Sequence, residues 1–179
     1  MIKHVLAVLA FLTFGVPAYS QRTSQYTSLD ESKCKTLELN EKEGGWYRGV
    51  CWGVAGYQLE VLEGDLRQTL NVIAPNKQKY WLDLQNITYS FSSLGPRAEW
   101  RMNGKVPTAI IFRFNPDKIP EDPSKPTSYL IVAKITKKEI CITDTVGPGQ
   151  YQNTEARRFA DTAATKPCKF QKPSNYFQR

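Results

Sequence analysis

Histidine is all but missing from this chain. Its one copy, His4, lies in an N-terminal stretch patterned as a secretory leader. That stretch has a short basic start, "MIKH", an apolar run, "VLAVLAFLTFGV", and small residues at Ala18 and Ser20. Residues 1–20 therefore read as a signal peptide cut after Ser20, leaving 159 of the 179 residues and no histidine among them. Ser-His-Asp and Cys-His catalysis both need a base that titrates near neutrality, and histidine-ligated metal catalysis needs its ligands. All three are set aside.

Other absences narrow the field further. The leader's apolar run is about twelve residues, short of the ~20 that span a bilayer, and no later segment is apolar enough. No cysteine stands near the cut to carry a lipid. No two cysteines have the C-x₂₋₄-C spacing of a structural zinc site, so no metal is expected, and no other cofactor is implied. There is no Lys/Arg run. Losing Lys3 with the leader leaves twenty-three basic against seventeen acidic residues, and that net +6 is spread along the chain. Nucleic acid is a poor partner for such a surface, whereas weak attraction to anionic cell-surface polymers is not.

What is present begins with four cysteines, Cys34, Cys51, Cys141 and Cys168. An even count in an exported chain reads as two disulfides. Three connectivities are possible; the local one, Cys34–Cys51 with Cys141–Cys168, is expected, each bridge worth roughly 3 kcal/mol in the chain-entropy model.

Four parts are read: the signal peptide 1–20, an N-terminal segment 21–33, one β-rich domain 34–168, and a basic tail 169–179. "QRTSQYT" is polar and reads as loose, and "SLDE" as a capping box in which Ser28 caps the turn that Glu31 closes. "YQLEVLE" and "LRQTLNVIA" alternate around a Gly-containing loop and predict a hairpin. "KYWLDL" and "ITYSF" are strand-like. "RAEWRM" and "TAIIFRF" flank Asn103-Gly104 as a second hairpin, its loop extended to Pro107 because proline breaks a ladder. Residues 116–128, with four prolines, read as a loop. "YLIVAKI" is a buried central strand that "EICITDT" joins through Lys137-Lys138. "NTEARRFADTAATK" is the one good helix, capped by Asn153, with Ala156, Phe159, Ala160 and Ala163 on one stripe. The fold class is mainly β (α+β): an antiparallel, hairpin-built sheet or sandwich with one C-terminal helix and two disulfides.

The stretch "SFSSLGPRAEWR" concentrates the functional question. Ser92 and Ser93 have no base, "SFSS" is not S-x-x-K, and serines beside Gly-Pro usually satisfy a turn. In the strand that follows, Ala98, Trp100 and Met102 point one way and Arg97, Glu99 and Arg101 the other. Trp100 then anchors the core, and the Arg-Glu-Arg face is the candidate binding surface or a ladder paired across strands. Trp46, Asp65 and Arg67 join it as candidate ligand-binding residues; Asp65 with Arg67 reads equally as a hairpin salt bridge. Seven large aromatics, Trp46, Tyr47, Trp52, Tyr57, Tyr80, Trp81 and Trp100, interleave with arginines, which suits sugars, peptides or acidic polymers unless most of the rings fill the core. Glu60, Glu63, Asp65, Asp83 and Glu99 offer material for a glycosidase carboxylate pair, though nothing brings two together. "NIT" at Asn86 is a glycosylation sequon only on a eukaryotic secretory route.

In their order, Cys34, Cys51-x-Gly53-x-x-Gly56-Tyr57, Glu63-Gly-Asp-Leu-Arg67, Leu94-Gly95, Glu99-Trp-Arg101, Cys141, Ala156-Arg157 and Cys168 resemble an uncharacterised family of small exported bacterial proteins. Trp52 stands where proline is common in that family. The resemblance implies a secreted or periplasmic bacterial protein and brings no activity. The expected function is non-enzymatic: binding of a cell-envelope ligand such as a saccharide, peptide or anionic polymer. The alternatives are an inhibitor of a secreted hydrolase such as lysozyme, disfavoured by like charge because most such targets are basic, and a carboxylate glycoside hydrolase.

Overall fold

A computed structural model describes residues 22–42, 45–117 and 128–170; the stretch read as a leader, most of the proline-rich loop and most of the basic tail lie outside the described residues. Among the described residues there are ten strands, β1 (Arg22–Ser28), β2 (Lys35–Asn40), β3 (Trp46–Trp52), β4 (Gln58–Gly64), β5 (Arg67–Ile73), β6 (Lys79–Leu82), β7 (Ser92–Asn103), β8 (Val106–Pro116), β9 (Tyr129–Ile135) and β10 (Ile140–Val146), and one α-helix, α1 (Gln152–Thr162). The strands run β10-β9-β8-β7-β5-β4-β3-β2, with β1 added on β7 and β6 on β5. Neighbours pair antiparallel except at Arg67↔Ser92, a parallel contact that joins the two halves of the sheet. The described residues also include three short 3-10 turns.

Alternation makes this sheet fold over on itself. Leu59, Val61, Leu70, Val72 and Leu82 from β4–β6 face Ala98, Trp100, Met102, Ile110, Phe112, Ile131 and Ile142 from β7–β10, and these form the main core. Trp100, with none of its surface exposed, sits in the middle, and its indole N–H donates to Thr27. The other face of β8–β10 offers Ala109, Ile111, Leu130, Val132 and Val146 to Ala156, Ala160 and Ala163, with Phe159 packed alongside. The helix stripe expected from the sequence is thus the one that is buried. Small alanines let the helix approach the sheet closely.

Both disulfides close locally, Cys34–Cys51 and Cys141–Cys168, as expected. The mainly β architecture, the two hairpins and the buried central strand β9 are also as read. No helix of the described residues is long and apolar enough to cross a membrane.

Five local expectations are corrected. "QRTSQYT" is not loose: Arg22–Ser28 is strand β1, paired along β7 from Asn103 to Arg97. Its polarity reflects an edge strand whose Ser24 and Tyr26 meet the charged row on the helix side, while Thr27 on the other face accepts from the Trp100 indole. The turn before Cys34 is capped by Asp30, whose carboxylate accepts from the Ser32 N–H, while Ser28 accepts from the Asp30 N–H. "ITYSF" is no strand beyond the turn at Leu84–Asn86; Asp83 caps that turn and ends β6. Pro107 lies inside β8 opposite Met102, beside a register shift that spares the ladder an N–H. Finally, α1 begins at Gln152, so Asn153 belongs to its first turn and is not its cap.

Candidate functional site

The Gly95-Pro96 corner proves to be a bulge within a continuous strand, not a turn. Leu94 pairs with Phe114 and Ala98 with Phe112, so four steps along β7 match two along β8. Gly95 is required here, because a Cβ would stand 2.7 Å from the Arg113 Cβ. The Pro96 carbonyl turns away from β8 to accept from the Leu29 N–H. The bulge opens a cleft of ≈ 270 Å³ between β1, β7, β8 and the start of α1, with Tyr26, Arg97, Glu99, Arg113, Asn153 and Arg157 around it. Of the two serines, Ser92 is buried with no partner for its hydroxyl, and Ser93 is exposed in the strand.

The Arg-Glu-Arg row does face away from the core. Its partner, however, is the helix more than a neighbouring strand. Arg157 donates from Nε to Glu99 Oε1 (2.7 Å) and from Nη2 to Oε2 (3.1 Å), and Nη2 also reaches the Tyr26 hydroxyl (3.0 Å). Arg101 makes the mirror-charged pair, Nε and Nη2 to the two oxygens of Asp161 (2.8 and 2.9 Å). Arg157 and Asp161 are one helical turn apart, ~6 Å, while Glu99 and Arg101 are two strand residues apart, ~6.8 Å. The two spacings match closely enough for both pairs to form at once. Ser24 on β1 links them, accepting from Arg101 Nη1 and donating to Glu99 Oε1, each at 2.5 Å.

Burial by itself would raise the Glu99 carboxyl, but hydrogen bonds from Arg157 and Ser24 outweigh it and hold Glu99 below the usual carboxylate range. The same contact with Glu99 raises the Arg157 guanidinium. Arg157 is therefore neutralised. Among the described residues Arg113 is held by neutral groups, donating to the Ser128 hydroxyl (2.7 Å) and the Gln152 side-chain oxygen (3.0 Å). Arg97 is exposed on the rim. Among the described residues neither forms an ion pair, so the cleft carries two uncompensated guanidiniums.

The remaining candidates lie elsewhere. Arg67 pairs with Asp65 across the β4–β5 turn, donates to the Tyr89 carbonyl (2.8 Å) and lies over the Phe91 ring. These contacts pin residues 89–91 to the hairpin, which is the salt-bridge reading. Trp46 stands on the outward face of β3 and donates to Glu38 (3.2 Å). Trp52 and Trp81 share that face, so three tryptophans point outward while Tyr47, Tyr57, Tyr80 and Trp100 pack on the core. Trp52 is 71% exposed.

Of the candidate carboxylates, Glu63 meets Glu31 at the Gln68 side-chain amide, which donates to both (2.7 and 3.2 Å). Burial and the Glu63 charge raise the Glu31 carboxyl, while Glu60 and Glu99 are locked in ion pairs. Glu60, 1% exposed, accepts from Arg48 (2.8 Å), Lys79 (2.9 Å) and Asn71 (3.0 Å) on the outer face of β4. Burial raises its carboxyl, and these three donors more than reverse that, leaving it lowered. Glu60 and Glu99 lie on different layers, each held in the ionised state, whereas a glycosidase acid must keep its proton. Glu139, Cys141 and Cys168 place three donor atoms within 4.8 Å, but both sulfurs are committed to one disulfide and offer no thiolate to a metal.

Sequence reasoning reached Arg97 and Glu99, counted Arg113 only among the arginines interleaved with the aromatics, passed over Tyr26, and gave Asn153 and Arg157 no role in a site. The lone arginine in "TAIIFRF" was the available signal, a charge where strand alternation turns to a covered face. Comparison with protein-family models, with curated proteins and with solved structures found no match to this chain.

Proposed function

We propose that this is an exported, non-enzymatic binding protein of the bacterial envelope, and that the bulge-built cleft takes an anionic group of an envelope ligand. The observation that carries the reading is the pair of uncompensated guanidiniums, Arg97 and Arg113, over an open polar cleft. Guanidinium recognises carboxylate and phosphate with two parallel hydrogen bonds. Two disulfides and a leader-like N-terminus support export. The resemblance of its motifs to those of a family of small exported bacterial proteins supports a periplasmic or secreted setting. A mature chain without histidine, its buried carboxylates locked in ion pairs, supports binding over catalysis.

The test is thermal shift and calorimetry with inorganic phosphate, glucuronate and a muramyl peptide. Stabilisation should weaken as salt rises and disappear in Arg97→Ala. No stabilisation by any of the three, or stabilisation that survives Arg97→Ala, overturns the reading.

A further inference from the structure

Leucine stands where the β4–β5 turn favours glycine. Gly64 pairs with Arg67, so Asp65 and Leu66 are the two central residues, and both hold positive φ. Such turns take Asn or Asp at the first position and Gly at the second. Leu66 is largely exposed, so core packing does not offset the strain. Its carbonyl accepts from the Ser92 N–H (2.9 Å), which brings residues 89–91 alongside the turn. Arg67 fastens that segment, donating from Nε to the Tyr89 carbonyl (2.8 Å) and lying 4.7 Å from the centre of the Phe91 ring. Tyr89 and Phe91 are exposed as well. Scattered apolar residues on a surface are ordinary, but a leucine and two aromatic rings fixed side by side are the makings of a protein contact.

We infer that this hairpin tip docks a partner protein that presents an apolar pocket flanked by lysine or arginine. The charge beside the tip selects that partner. Glu63 and Asp65 line a pit of ≈ 220 Å³ next to Leu66. The Gln68 amide holds Glu63 and Glu31 together without adding charge, and Arg67 is already committed to Asp65, the Tyr89 carbonyl and the Phe91 ring. Three carboxylates thus stand against one guanidinium, in a chain whose overall balance is basic. Leu66, Tyr89 and Phe91 enter the partner's pocket, and its cation enters the pit between Glu63 and Asp65. The Arg67 contacts hold residues 89–91 in place before the partner arrives, which lowers the ordering cost of association. This surface shares no residue with the arginine cleft and stands whether or not the cleft binds an anion.

The experiment is an NMR titration of the oxidised protein with two peptides, acetyl-Leu-Lys-Phe-Lys-Leu-amide and the same peptide with glutamate in place of lysine. Saturable shifts are expected at Leu66, Tyr89 and Phe91 with the lysine peptide, and binding about tenfold or more weaker with the glutamate one. Leu66→Gly suits the turn and keeps the fold, yet should weaken the lysine peptide by about tenfold or more. Asp65→Asn, which the turn also accepts, should weaken it by about threefold or more. Trp52→Ser removes an exposed ring elsewhere on the sheet and should leave it unchanged. No saturable shift with the lysine peptide, shifts centred away from the tip, equal binding of the two peptides, or native affinity in Leu66→Gly overturns the inference.

Discussion

Replacing Glu60 by glutamine isolates the energetics of the outer sheet face, because the substitution keeps size and shape and removes one charge. The carboxylate accepts from Arg48, Lys79 and Asn71 while 1% exposed. Hydrogen bonds to a charged group are worth ~1.5–3 kcal/mol each. The two cations retain about a third of their side-chain exposure, 34% for Arg48 and 29% for Lys79, so water recovers part of that loss. Asn71 softens it too: its Oδ1 has no partner in the native arrangement and can turn to accept from the new amide. The expected cost of Glu60→Gln is about 2–3 kcal/mol. Glu60→Leu leaves Asn71 buried with no acceptor and both cations without a counter-charge, and should cost about 3–5 kcal/mol.

The same residue gives a pH signature. Its folded-state pKa is lowered, so its contribution is present above the unfolded carboxylate range and is lost as pH falls through the folded value. Urea unfolding with both disulfides intact, run from neutral to acid pH, should show the gap between native protein and Glu60→Gln shrinking as the solution is acidified. A gap below ~0.5 kcal/mol at neutral pH, a gap independent of pH, or Glu60→Leu no worse than Glu60→Gln refutes the reasoning.

Three further outcomes follow from local geometry. Serine in place of Cys34 and Cys51 should lower stability by ~3 kcal/mol, and in place of Cys141 and Cys168 by ~3.5 kcal/mol, since the second loop spans 27 residues against 17; the urea midpoints should fall in that order. Leu66→Gly should stabilise by about 0.5–1 kcal/mol in the same assay, because Asp65 and Leu66 both hold positive φ (50° and 57°) in the β4–β5 turn and Leu66 is 62% exposed. Gly53→Ala should destabilise by about 1–3 kcal/mol and alter the near-UV dichroism of Trp100, as its Cβ would meet the Trp100 ring and the Tyr57 carbonyl, each at 2.7 Å.

How far the sequence carries depends on the range of the interaction. Alternation alone placed Trp100 inward and Glu99 outward, and a 3.6-residue stripe placed Ala156, Ala160 and Ala163 on one face. These are local periodicities. What it left open were partners distant in the chain. Arg22–Ser28 looked loose because an edge strand that meets a charged row needs hydroxyls, not apolar residues, on that face: Ser24, Tyr26 and Ser28 stand opposite Arg101, Glu99 and Arg97. The cleft depends on Gly95 meeting Arg113 eighteen positions away and on Arg157 meeting Glu99 across 58. No periodicity encodes either contact. The Leu94–Ala98 bulge hid in a Gly-Pro pair that a turn would also use.

Glu99 then links stability to the proposed binding. Its carboxylate keeps Arg157 neutralised and helps hold α1 on β7, in series with the Arg101–Asp161 pair. Glu99→Gln removes that charge while keeping one acceptor for Arg157 and Ser24. Stability should fall by about 1–3 kcal/mol, the worth of a charge-assisted contact partly open to water, and the deficit should shrink at acid pH because the folded-state pKa of Glu99 is lowered. The cleft would at the same time gain a third uncompensated guanidinium. If its arginines bind an anionic group, inorganic phosphate should bind Glu99→Gln more tightly than the native protein, with a steeper salt dependence. A purely structural network makes the opposite prediction: lower stability and no gain in phosphate affinity. Calorimetry on the two proteins at matched ionic strength separates these outcomes, and an unchanged or weaker phosphate affinity in Glu99→Gln would leave the Arg-Glu-Arg row as a clasp for the helix alone.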